Sequence, residues 1–62
     1  LRPSVAQDNV QAYTWDQIAA INGYAAAKRN QNLISRGMTP EQRTQAETLA
    51  REMIQKNPKL AR

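Results

Sequence analysis

Apolar residues recur along this chain at helical spacing in three successive stretches, each closed by glycine or proline. In the first, Val10, Tyr13 and Ile21 mark one stripe, and Ala12, Trp15, Ile18 and Ala19 mark a second beside it. Residues three or four apart share one side of a helix, so the two stripes merge into a wide apolar face. That face is wider than one neighbouring helix would need. Asp8 is the expected cap of this helix, with Gln11 three residues later, and Asn22-Gly23 is the expected stop. Leu1 to Gln7 reads as a lead-in, with Val5 its main apolar anchor.

The second stretch predicts a helix over about Tyr24 to Arg36. Ala26, Ala27, Asn30, Leu33 and Ile34 follow helical spacing, and Gly37 ends it. Lys28, Arg29 and Arg36 fall on its more solvated side. The third stretch predicts a helix over about Thr39 to Asn57. Thr39 can cap it, Pro40 fits the first helical position, and Gln42 completes a capping box. Ala46, Leu49, Ala50, Met53 and Ile54 make one narrow stripe, and Glu47 with Arg51 and Glu52 with Lys56 stand four apart in the favoured order. Pro58 stops the helix, and Lys59 to Arg62 is expected to fray. Short links place sequence neighbours antiparallel. The fold expected is all-α, with three antiparallel helices.

Length sharpens this. A chain of 62 residues allows one domain, of marginal stability unless something reinforces it. There is no Cys and no His, which removes disulfides, the usual zinc sites, thiol nucleophiles and imidazole acid–base chemistry. No run approaches the roughly 20 apolar residues of a membrane span. Leu1 in place of a starting Met points to a processed or partial product, and no signal peptide is visible.

The order of these features resembles a known family. The run VAQDNVQAYTWDQIAAING is similar to the second half of a Sel-one-like repeat (SLR), matching at Val5, Asp8, Ala12, Trp15, Ala19, Ala20 and Gly23. The stretch from Gly23 onward resembles the terminal capping unit of bacterial members. It matches at Met38, Thr39, Pro40, Gln42, Ala46, Leu49, Ala50, Arg51 and Glu52. The pattern departs at Arg2-Pro3-Ser4, where glycines are usual, and at Asp16, where a large apolar residue is usual. Gln31-Asn32 replaces Leu-Gly, which would suit a final unit with an outer side facing water.

The resemblance implies a fragment of an α–α superhelix, a tetratricopeptide-like (TPR-like) solenoid. Residues 8–22 would be the second helix of a repeat, 23–57 a capping helix pair, and 58–62 a tail. It implies a non-catalytic scaffold or adaptor whose partner is another protein chain or a second copy of itself. The compartment stays open between the bacterial periplasm or exterior and the cytoplasm. With the first helix of the leading repeat missing, Tyr13, Trp15, Ile18 and Ile21 are the expected protein-binding residues on an exposed joining face. In a complete array Trp15 would be a packing residue, and Tyr13 could be either core or contact.

Other chemistries are weaker in the residues. The five carboxylates, Asp8, Asp16, Glu41, Glu47 and Glu52, sit mainly at caps or beside cations, and a chain this short offers little room for a cleft. No catalytic residue, cofactor or metal ligand is assigned. Nine Lys or Arg against five Asp or Glu give a net charge of +4. Lys28, Arg29, Arg36 and Arg43 could therefore form a patch for nucleic acid, but no aromatics interleave with them as stacking platforms. A small basic nucleic-acid binder and a helical subunit of a larger assembly are the alternative readings.

Overall fold

The computed structural model describes residues 5–61, and within them the chain is all-helical, with no strand. Helix α1 spans Val5–Ile21, α2 Ala25–Ser35 and α3 Pro40–Lys56, followed by a 3₁₀ turn, Pro58–Leu60. Leu1 to Ser4 of the expected lead-in lie outside the described residues.

The first helix begins at Val5 rather than Asp8. Asp8 therefore sits in its first turn, where a carboxylate faces the unpaired amide protons and the positive end of the helix dipole. Gly23 ends the segment as expected. Its φ of 93° is the left-handed conformation that L side chains rarely adopt. The Gly23 amide donates to the Ala20 carbonyl at 3.0 Å, and the Tyr24 amide to that of Ala19 at 3.1 Å.

Helix α3 carries the capping box read from Thr39 and Gln42. The Gln42 amide donates to Thr39 Oγ1 at 3.1 Å, and the Thr39 amide donates to Gln42 Oε1 at 2.9 Å. Helix α2 has no such device: Tyr24 at its N-cap makes no side-chain capping bond. The tail expected to fray is instead turned back over Pro58–Leu60, and Arg62 lies outside the described residues. Pro58 opens a 3₁₀ turn, and Asn22 Nδ2 donates to the Leu60 carbonyl, tying the tail to the end of α1.

Helix α1 is the spine: both α2 and α3 pack on it, and they scarcely meet each other. Side-chain contacts set the directions. Asn9 lies beside Gly37 and Gln17 beside Gln31, so α1 and α2 run antiparallel. Thr14 meets Ala46 and Asn22 meets Leu60, so α1 and α3 run the same way. The core is thin. Val10, Tyr13, Met38 and Ala46 form it, with Ile34 packed against them. Ala46 and Ala50 are almost wholly buried, and such short side chains let α3 come close to α1.

Two polar residues share this interior. Thr14 Oγ1 donates to the Val10 carbonyl at 2.7 Å and lies 3.3 Å from the Ala46 carbonyl. Gln31 was expected on an outer, wetted side. It is buried, with Nε2 donating to Gln17 Oε1 at 2.6 Å and lying 3.5 Å from the Tyr13 carbonyl. The reason is periodic: Ala27, Gln31 and Ile34 stand at i, i+4 and i+7, so Gln31 lies in the middle of the stripe that α1 covers.

Candidate functional site

Four residues of α1 were expected to share an exposed apolar face, and the structure divides them. Trp15 is 56% exposed and Ile21 48% exposed, whereas Tyr13 and Ile18 are buried. The correction follows from the two flanking helices. Val10, Tyr13 and Thr14 lie on the side of α1 that α2 and α3 cover between them, and Ile18 is buried one turn further along, near Tyr24 and Leu60. Trp15 is the residue they leave out.

The side on which Trp15 lies can be located from neighbouring contacts. Tyr13 Oη donates to Glu47 Oε2 at 3.4 Å, so Tyr13 and Glu47 belong to one side of the α1–α3 pair. Helix α2 is on that same side, since Gln31 reaches Tyr13 and Gln17. Successive helical residues are turned by about 100°, so Trp15 projects from Thr14 in the direction opposite to Tyr13. On α3 the residues turned away from Glu47 are Leu49 and Met53. The side without α2 therefore carries Trp15, the 37%-exposed Leu49 and the half-buried Met53. At the end of α1 this surface runs into an open depression of about 420 Å³, bounded by Ile18, Tyr24 and Leu60.

Ile21 belongs elsewhere. With Gln17 it floors a second open groove, of about 400 Å³, whose wall on α3 is Ala50, Arg51 and Ile54. This groove is on the Glu47 side and exists because α2 and α3 do not close over it.

Two exposed apolar residues escaped the sequence reading. Tyr24 is 67% exposed and Leu33 60% exposed. Leu33 had been placed with the helical stripe of α2, but its neighbours three and four residues away, Arg29 and Arg36, lie outside, and Leu33 lies with them. That spacing was the available signal. Lys28, Arg29 and Arg36 are exposed as expected, and Arg43 is half-buried.

The surroundings of Tyr13 act on its phenol. Burial raises its phenol above the usual value of 10.0, the Glu47 charge and hydrogen bond raise it further, and Arg43 pulls it down. Among the described residues, no group of three or more His, Cys, Asp or Glu is placed to hold a metal ion. No described helix is long and apolar enough to cross a membrane. No family model matches this chain, and no curated protein and no solved structure matches it.

Proposed function

We propose that this chain is a non-catalytic protein–protein interaction module, a scaffold or adaptor element of SLR type that docks through an apolar helical surface. One observation carries the reading: Trp15 stands exposed on the side of the α1–α3 pair that α2 leaves bare, the side to which Leu49 and Met53 also turn. Aromatic residues held on rigid helices are the usual anchors of such contacts. The superhelical part of the reading rests on the sequence order from Val5 to Glu52, and a bare side on α1 is what an interior helix of an array would present.

The test is association with and without that surface. Sedimentation velocity across a concentration series should show the wild-type chain self-associating. Trp15→Ala with Leu49→Ala should abolish this and leave helical content intact, since both side chains are on the surface. An association state that the double variant leaves unchanged sinks the proposal, as does a well-folded wild-type monomer at every concentration. Nucleic acid would take its place if generic duplex DNA bound at physiological salt and release followed Lys28, Arg29 and Arg36→Ala.

A further inference from the structure

Helices α1 and α2 expose stripes of opposite character. Asp8, Ala12, Trp15 and Ala19 stand at i, i+4, i+7 and i+11 on α1, on the side away from α2. Helix α1 has two Asp and no Lys or Arg. On α2, Ala25, Arg29, Leu33 and Arg36 stand at i, i+4, i+8 and i+11, all exposed, on the side away from α1. Helix α2 and its C-cap residue Arg36 include three cations, with Lys28, and no acid.

We infer that the occupant of the α1 stripe is a second copy of this chain, bound through its α2 stripe, so that copies associate head to tail. This deepens the interaction-module reading and rests on it. Charge selects the pairing. Two α2 stripes would set Arg29 and Arg36 against their own kind, and two α1 stripes would leave all the cations without partners. Of the three ways to pair these two stripes, only α1 on α2 brings opposite charges together.

The spacing agrees. Asp8 and Trp15 are seven residues apart, and so are Arg29 and Arg36, about 10.5 Å along a helix axis in each case. With the two helices side by side in the same direction, Asp8 meets Arg29 and Trp15 meets Arg36. A guanidinium over an indole face is a favourable cation–π pair. Leu33 then falls opposite Ala12, a large side chain against a small one, and close approach follows. The two stripes point away from each other in one molecule, so each copy keeps one of each free. Such a heterologous contact builds open chains rather than closed dimers.

The experiment uses two one-sided variants of the full 62-residue chain, Trp15→Ala on the α1 stripe and Leu33→Asp on the α2 stripe, both at exposed positions. In sedimentation velocity the wild type should grow beyond a dimer with concentration and shrink with added salt. Each variant alone should be monomeric, with unchanged helical circular dichroism. An equimolar mixture should restore a dimer, because one intact stripe remains on each partner. Charge exchange gives a second readout: Asp8→Arg and Arg29→Asp should each lower association at least tenfold, and the two together should restore it. The inference is overturned if Leu33→Asp still associates through Trp15, a result that leaves the module reading standing. It is also overturned if the mixture stays monomeric, or if the wild type binds duplex DNA at physiological salt and shows no association between copies.

Discussion

Thr14 Oγ1 lies 3.3 Å from the carbonyl oxygen of Ala46, so α1 and α3 meet almost backbone to backbone. Ala46 is 0% exposed at that crossing. A larger side chain there has nowhere to go except between the helices. Ala46→Leu should destabilise the chain by about 1–3 kcal/mol, the usual cost of forcing methylenes into a packed site. Urea unfolding followed by circular dichroism measures this, and a neutral result would mean that the crossing is looser than described.

Alkaline pH should act through Tyr13. Its raised phenol value means that the folded chain holds this proton more tightly than the unfolded chain does. The stabilisation is complete below the ordinary value of 10.0 and is lost as pH climbs through the higher folded value. The wild type should therefore lose stability more steeply above pH 10 than Tyr13→Phe, which has nothing to ionise there. Parallel slopes for the two proteins would show that the buried phenol is not linked to folding.

The part-buried amide pair Gln17–Gln31 should prove coupled. Its 2.6 Å hydrogen bond joins α1 to α2 beside the apolar core. In a double-mutant cycle with alanine, the interaction energy should be about 0.5–1.5 kcal/mol in favour of the pair. Additive single variants would mean that water serves each amide as well as its partner does.

Removing the helix cap gives a purely local test. Thr39→Ala deletes the acceptor for the Gln42 amide and should cost about 1 kcal/mol, seen as a lower urea midpoint with an unchanged slope.

Features set by short stretches of sequence were legible in advance. The Thr39–Gln42 box and the Gly23 stop depend on residues within a turn of one another, and both stand where local chemistry puts them. What depended on the choice between two faces was not legible. Helix α1 has apolar residues around much of its circumference, so only its neighbours decide that Tyr13 and Ile18 go inside and Trp15 stays out. Gln31 misled by its polarity, although its position between Ala27 and Ile34 marked it as facing the core. Pro58 ended α3 as expected, but proline also fits the first position of a new turn, and Asn22 holds that turn in place.

Helices α2 and α3 touch α1 but scarcely touch each other. With eleven residues and no side-chain cap at Tyr24, α2 is shorter than α1 and α3 and lacks the capping box that closes the start of α3. Its own turns are therefore the ones expected to open first, from the uncapped end. Amide hydrogen exchange would then rank the chain in two tiers, with α2 amides released through a shallow local opening and those around Thr14, Ala46 and Ala50 released only when the whole chain melts.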